Sequence, residues 1–133
     1  MRVNVSVIVT HNKQVLLMQR SLADDYFPGA WGIPGGYMEP EEMYLEETAV
    51  RETFEELGIK IKPTGIVFNN KNTGTDTLYL VMSAQLENPE DYPKNVTLSD
   101  EANDFRWANQ EDIDSLEFTP YTVERIRKAF AGM

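Results

Sequence analysis

Residues 51–59 read Arg51-Glu52-Thr53-Phe54-Glu55-Glu56-Leu57-Gly58-Ile59, and this stretch carries the most informative spacing in the chain. Glu52 precedes Glu55 by three positions and Glu56 by four, so on an α-helix the three carboxylates project from one face. Clustered carboxylate oxygens suit a hard divalent cation such as Mg²⁺ or Mn²⁺, which would relieve their mutual repulsion. The alternative is a solvated acidic face without a ligand.

The helix that carries these acids is predicted to run from about Met43 to Leu57. Pro40-Glu41-Glu42 suits its opening turn, and Gly58 suits its carboxyl cap. The side opposite the three glutamates has residues that could pack on a sheet, namely Leu45, Thr48, Ala49, Thr53 and Leu57.

Arg51 is the only cation between residues 39 and 56, and two interpretations of it stay open. It either pairs with Glu47 or Glu55 as an ordinary helix arginine, or its planar fork holds a catalytic carboxylate in one rotamer. Gly35 and Gly36 likewise form either a plain loop or a turn whose backbone approaches a metal and a phosphate.

Outside this helix, the apolar pattern predicts an α/β chain with a mixed sheet covered by helices on both faces. The predicted strands cover residues 3–10, 15–20, 61–69, 77–85 and 104–108. The predicted turns and loops cover residues 11–14, 21–29, a glycine-rich turn at 31–36, 70–76 and 87–100. Residues 110–115 are expected to form a helical turn, and Thr119-Pro120 to begin a closing helix.

The bulk composition predicts one domain over residues 1–133 and excludes several classes of function. A net charge of −10 argues against binding a nucleic acid polymer or an anionic membrane. The absence of cysteine excludes disulfides, thiolate metal sites and cysteine nucleophiles. No long apolar run is present, and residues 1–7 alternate too strictly for a signal peptide, so we expect a cytoplasmic protein.

The stretch from Gly36 to Ile59 resembles the signature of the Nudix hydrolase family, G-x5-E-x7-R-E-U-x-E-E-x-G-U, in which U is a bulky aliphatic residue. Gly36 and Glu42 match its first half, and residues 51–59 match its second half, with Thr53 in place of an aliphatic residue. One departure is that eight residues separate Glu42 from Arg51 instead of seven. The role of the first glutamate could therefore fall to Glu41 or Glu42.

This resemblance implies an α/β/α sandwich with a mixed, curved sheet between helices, and hydrolysis of a nucleoside diphosphate linked to another moiety. The cation, Mg²⁺ or Mn²⁺, would be bound by Glu52 and Glu56, with Glu55 assisting and the Gly36 carbonyl and Glu42 as further ligands. Arg51 would orient the glutamates. The base that activates water is left open between Glu52 or Glu55 and Glu101.

Substrate recognition is expected near the end of the second predicted strand and the loop that follows it. Arg20 could contact phosphate or form a surface ion pair, and the Gly35 backbone could approach phosphate. Phe27 and Trp31, together with Tyr26, could stack on a base, although anchoring the loop and the core is the favoured role. The expected partner is a nucleotide-like small molecule, and a homodimer stays open.

Three other functions compete with this interpretation. A binding module that has lost catalysis predicts a degraded signature, and the added residue gives it some support. A structural domain kept soluble by an acidic helix predicts no specific response to Mg²⁺. An isomerase on the same fold is disfavoured because the cysteine that such enzymes use is absent.

Overall fold

A computed structural model describes residues 1–72 and 74–133 of the chain. Within these residues seven strands and two α-helices follow one another, with short 3-10 turns at Pro89–Asp91 and Gln110–Ser115. The strands are β1 (Arg2–His11), β2 (Gln14–Arg20), β3 (Trp31–Gly32), β4 (Gly35–Tyr37), β5 (Ile61–Asn72), β6 (Thr77–Leu86) and β7 (Ala102–Ala108). The helices are α1 (Leu45–Leu57) and α2 (Thr122–Ala131).

The strands form one mixed sheet in the order β3-β2-β1-β6-β5, with β4 also paired to β1 and β7 to β2. Strands β1 and β6 are parallel, from Arg2 beside Thr77 to Thr10 beside Gln85. The other strand pairs are antiparallel. The predicted α/β class with a mixed sheet is confirmed.

The hairpin of β1 and β2 opens into a fork, and this opening positions the rest of the site. The two strands pair only at Thr10 with Val15 and at His11 with Gln14. Beyond that point β4 pairs with β1 and β3 pairs with β2, so residues 31–37 fill the space between them. The prediction of a plain glycine-rich turn at residues 31–36 was wrong, because these backbone groups complete the hydrogen bonding of two diverging strands.

Each face of the sheet is covered by one helix. One core cluster joins α1 to the sheet through Ala49, Leu57, Val7 and Leu16, all fully buried. The second joins α2 to the opposite face through Ile126, Phe130 and Leu17, and also buries Ile8. Ile8 is buried because α2 covers its face of β1. The predicted sandwich is therefore confirmed.

Helix α1 begins two residues later than predicted. Its first residue is Leu45, and the Glu47 carboxylate accepts hydrogen bonds from the backbone N–H groups of Met43 and Tyr44 at 3.1 and 3.0 Å. Gly58 ends the helix in the left-handed conformation, with φ of 66°, as its predicted cap role requires. Residues 40–44 therefore precede the helix, and the added residue of the signature is absorbed there.

Other boundaries differ because of local conformations that sequence patterns do not reveal. Helix α2 starts at Thr122, after the expected Thr119-Pro120, since Tyr121 adopts a positive φ of 66°. Strand β5 extends through Asn72 into the predicted turn at 70–76, of which Thr73 lies outside the described residues. His11, expected in an exposed turn, ends β1 and packs on the Tyr92 ring with centroids 4.6 Å apart.

Within residues 1–72 and 74–133, no helix has the length and apolar character needed to cross a membrane.

The packing of α1 against the sheet predicts that Ala49→Leu destabilises the fold. Ala49 is fully buried, so added methylenes must displace neighbours at a cost of about 1–3 kcal/mol in the free energy of unfolding. Val50→Leu is the matched control on the exposed side and should change this free energy by less than about 0.5 kcal/mol. Urea denaturation monitored by circular dichroism measures both variants. Equal stability of the two would contradict this packing.

Candidate functional site

The main chain of β4 lies against the acidic face of α1. A Cβ atom added to Gly36 would lie 2.2 Å from Glu52 Oε1, so a side chain at this position would displace the Glu52 carboxylate. A Cβ at Gly35 would lie 2.5 Å from the carbonyl oxygen of Val5 on the neighbouring strand. Gly36 therefore lets the backbone lie against the Glu52 carboxylate, and the backbone of Gly35 forms a hydrogen bond with Glu56.

Arg51 holds this side of the helix together with its guanidinium group. Its Nε and Nη2 atoms each donate to one carboxylate oxygen of Glu42 at 3.0 Å, which is a bidentate pairing. Nη1 donates to Glu52 at 2.9 Å, Nη2 to the Tyr37 carbonyl at 3.0 Å, and Glu55 lies at 3.4 Å. Of the two expected ion-pair partners only Glu55 is found, because Glu47 caps the helix instead.

Glu42, and not Glu41, is the upstream acid that Arg51 binds. Its side chain is only 9% exposed, and it also accepts a hydrogen bond from Thr48 Oγ1 at 3.0 Å and one from the Glu39 backbone N–H at 2.9 Å. The Arg51 hydrogen bonds outweigh the penalty of burial and lower the pKa of Glu42 to about 2. Glu41 is exposed. Both oxygens of Glu42 are engaged, so it faces Arg51 and not open solvent.

Glu52 and Glu56 have the opposite electrostatic character. Burial, then repulsion by the Glu52 charge, raises the pKa of Glu56 to about 8, although a backbone hydrogen bond from Gly35 opposes this. Burial also raises the pKa of Glu52, while Arg51 lowers it. Two neighbouring carboxylates that resist ionising together are a suitable site for a cation, since a positive charge would remove the cause of both shifts.

The chemistry of these donors fits a hard cation that completes its coordination with other groups. Within the described ranges 1–72 and 74–133, no cluster of three acidic or histidine side chains is arranged to hold a metal ion. Mg²⁺ is commonly bound by one or two carboxylates together with waters and substrate phosphates. Glu52 and Glu56 could supply those two carboxylates, whereas Glu55 is more than half exposed at the rim.

Two adjoining cavities open onto Glu56. The larger, of about 520 Å³, has a mostly acidic lining of Glu39, Arg51, Glu52, Glu55, Glu56, Ser99, Asp100 and Glu101. The smaller, of about 340 Å³, is lined by Met18, Arg20, Asp24, Gly32, Ile33, Gly35, Glu56, Glu101 and Thr119. Glu56 and Glu101 line both cavities. The exposed carboxylate of Glu101, one of the candidates for the base, therefore lies where the two cavities meet.

The predicted substrate residues separate into two groups. Arg20 lines the smaller cavity, where its Nη2 atom pairs with Asp24 at 2.7 Å and its Nε atom donates to the Tyr26 carbonyl at 2.7 Å. Trp31 packs in the core between α2 and the sheet. Phe27 is exposed and contacts the Tyr26 ring. Neither Trp31 nor Phe27 lines these two cavities.

Asp24 and Glu39 line the two cavities but were not predicted as site residues. Asp24 lies four residues after Arg20, and this spacing could have suggested a pair had the loop been predicted as ordered. Glu39 lies 3.4 Å from Arg51 and lines the acidic cavity. Nothing in its spacing distinguishes it from the other acids of residues 39–47.

Comparison with known proteins places this geometry among related chains. The sequence profile of the NUDIX domain matches residues 1–129. The nucleoside triphosphatase NudI of Enterobacter sp. (strain 638) is 29% identical over 137 residues, which covers 91% of each chain.

Two solved structures share this fold. A NUDIX hydrolase from Nitrosomonas europaea superposes with a TM-score of 0.82 at 21% identity, covering 98% of this chain and 70% of that one. The MutT protein from Methanosarcina mazei Go1 gives a TM-score of 0.73 at 26% identity, covering 98% and 93%.

The pairing of Glu42 with Arg51 predicts a stability loss in Glu42→Gln that Glu41→Gln does not share. The folded pKa of Glu42 is about 2 against an ordinary 4.5, so its stabilisation is complete above about pH 4.5 and is lost as the pH falls towards 2. We expect Glu42→Gln to lose about 1–2 kcal/mol at neutral pH and less near pH 3. Urea denaturation at both pH values measures this, and an equal loss in Glu41→Gln would refute the assignment.

The raised pKa of Glu56 predicts that Glu56→Gln stabilises the cation-free protein at alkaline pH. The folded pKa of about 8 exceeds the ordinary 4.5, so the unfolded state releases its proton first and stability is lost as the pH rises between these values. Glutamine does not ionise, so the variant should gain about 1–3 kcal/mol near pH 9 and less near pH 5.5.

Urea denaturation in EDTA measures this gain, with Glu46→Gln as the control at an exposed position of the same helix. A gain that does not depend on pH, or one that Glu46→Gln shares, would contradict the prediction.

Proposed function

This chain belongs to the Nudix family, and on that premise we propose that it is a divalent-cation-dependent hydrolase that cleaves a phosphoanhydride bond of a nucleoside triphosphate. The observation that carries the proposal is the Glu52–Glu56 pair beside the Gly35-Gly36 backbone. Both acids line the acidic cavity, and Glu56 also lines the cavity that has Arg20 in its wall. A triphosphate is favoured over ADP-ribose, an oxidised nucleotide or a nucleotide sugar because the Enterobacter relative, matched over 91% of its length, is named a nucleoside triphosphatase.

Glu52 and Glu56 would hold the Mg²⁺ or Mn²⁺ ion, with the Gly36 carbonyl as a further ligand and Glu55 assisting from the rim. When bound, the cation neutralises phosphate oxygens and lowers the pKa of water. Glu42 would not be a ligand, because Arg51 engages both of its oxygens. We assign Glu42 and Arg51 as positioning residues that hold Glu52 in a single rotamer.

Glu101 is the proposed general base. It lies at the junction of the two cavities, whereas Glu52 and Glu55 both lie within hydrogen-bonding distance of Arg51. An exposed carboxylate outside this network can accept a proton from a water attacking phosphorus. Arg20 would bind the substrate phosphates, since Asp24 and the Tyr26 carbonyl orient its guanidinium at the wall of the same cavity.

A nucleotide-binding module without catalysis is the second candidate, favoured by the added residue between Glu42 and Arg51. That residue is accommodated before α1, and it leaves the contacts of Arg51 with Glu42 and Glu52 in place. The intact contacts weigh against the module. Release of pyrophosphate or phosphate from nucleoside triphosphates, with Mg²⁺ and with EDTA, distinguishes the two candidates.

We expect hydrolysis of nucleoside triphosphates that requires Mg²⁺ and that falls by about 10²-fold or more in both Glu56→Gln and Glu101→Gln. The two variants should differ in their response to the cation. Glu56→Gln removes a ligand, so raising Mg²⁺ should restore part of its activity, whereas Glu101→Gln removes a proton acceptor and should not respond. Steady-state kcat measured across a Mg²⁺ titration provides the comparison.

Glu46→Gln is the control for charge loss on α1 and should retain the parent activity. Full activity in EDTA would refute the requirement for a cation. Parent-like kcat in Glu101→Gln would refute the assignment of the base and return it to Glu52 or Glu55.

A further inference from the structure

A third cavity, of about 300 Å³, adjoins the one assigned to phosphate. The two share Arg20, Ile33, Gly35 and Thr119 as lining residues, so a ligand bound at Arg20 could extend from one into the other. Its remaining walls come from β1, β6, the loop after β2, Pro120 and α2. The cavity therefore lies on the side of the sheet that α2 covers, opposite α1 and Glu52.

Arg125 of α2 lines this third cavity in an unusual state for a charged group. Its Nε atom is buried and has no hydrogen-bond partner. Within residues 1–72 and 74–133, no carboxylate lies within 4.0 Å of its guanidinium, a feature it shares with Arg2, whereas the other four arginines pair with acids: Arg20, Arg51, Arg106 and Arg127. A buried donor without a partner costs free energy, which a ligand could recover.

The surroundings of Arg125 are aromatic rather than acidic. Its guanidinium carbon lies 5.9 Å from the centroid of the Phe68 ring and 6.0 Å from that of Tyr79, near the outer limit of a cation–π contact. Burial lowers the pKa of Arg125. Neither ring replaces the missing hydrogen-bond acceptor of the buried Nε atom.

The other walls of this cavity suit a planar ring with polar edges. Tyr79 and Tyr26 supply aromatic surface, and Tyr26 is 56% exposed on its loop. Asn4 and Ser6 supply groups that can both donate and accept hydrogen bonds. Arginine only donates, so among these polar residues Arg125 is the one that can select by the direction of the hydrogen bond.

We propose that Arg125 is a specificity-determining residue that selects nucleotides whose base carries a keto oxygen at C6 of a purine or C4 of a pyrimidine, as in guanine and thymine, over adenine and cytosine, which carry an amino group at that position. The inference rests on the proposed function, since it assumes that the phosphates lie at Arg20. A keto oxygen accepts from the guanidinium, whereas an exocyclic amino group would place donor against donor.

The test measures binding of analogues of dGTP, dTTP, dATP and dCTP in which methylene groups replace both bridging oxygens of the triphosphate, by isothermal titration calorimetry with Mg²⁺. The parent chain should bind the two keto analogues about tenfold or more tightly than the two amino analogues. Arg125→Gln should abolish this preference, and Arg125→Lys should reduce it because the planar guanidinium group is lost. Arg127→Gln, an exposed position on the same helix, should retain it.

Several outcomes would overturn the proposal. They are equal or undetectable binding of all four analogues by the parent chain, a preference that survives in Arg125→Gln, and a uniform loss across the four bases in that variant. The uniform loss would identify the acceptor as a phosphate instead of a base. Thermal unfolding of Arg125→Gln and Arg125→Lys checks that both remain folded, and the lysine variant keeps the comparison decisive if the glutamine variant does not fold.

Hydrolysis of the parent nucleotides is measured separately, so the two ideas can fail independently. Selective binding without hydrolysis would sustain the role of Arg125 and refute the proposed enzyme. Hydrolysis of all four nucleotides together with equal binding would do the reverse.

Discussion

The structure depends on a close contact between the backbone at Gly36 and the carboxylate of Glu52, where a larger residue at position 36 would displace that carboxylate. For this contact to form, α1 must lie close to the sheet, which the small, buried Ala49 allows. Strand β4 must also reach the helix, and it does so because β1 and β2 diverge after two residue pairs. Packing, strand topology and the placement of the acids therefore all follow from one requirement, that backbone and carboxylate meet.

The electrostatics of the site depend on which acids Arg51 reaches and on how deeply the others are buried. Arg51 is the single cation within the acidic segment, and it neutralises Glu42 most fully, so that this acid stays ionised. Glu56 is more buried and is not among the carboxylates that Arg51 contacts. Burial and the Glu52 charge raise its pKa well above that of an ordinary glutamate. Arg51 thus separates Glu42, which it keeps ionised, from Glu56, whose ionisation burial opposes.

Much of the site could be predicted because its acids lie within one helix, where sequence spacing determines which side chains share a face. The intervals from Glu52 to Glu55 and Glu56 imply a shared helical face, and the buried face through Ala49 and Leu57 follows from the same period. The fork could not be predicted, since two- and three-residue strands are defined by distant partners and carry no period. The burial of the Arg125 Nε atom could not be predicted either, because an arginine on an amphipathic helix is ordinarily a surface residue.

The segment before α1 has a consequence for how such sites are recognised. Residues 40–44 lie outside the helix, where the backbone can change length without rotating the helical face that presents the glutamates. The spatial arrangement of the site therefore does not require a fixed number of residues between its two halves. A search that demands a fixed interval between Glu42 and Arg51 would pass over sequences whose three-dimensional arrangement is complete.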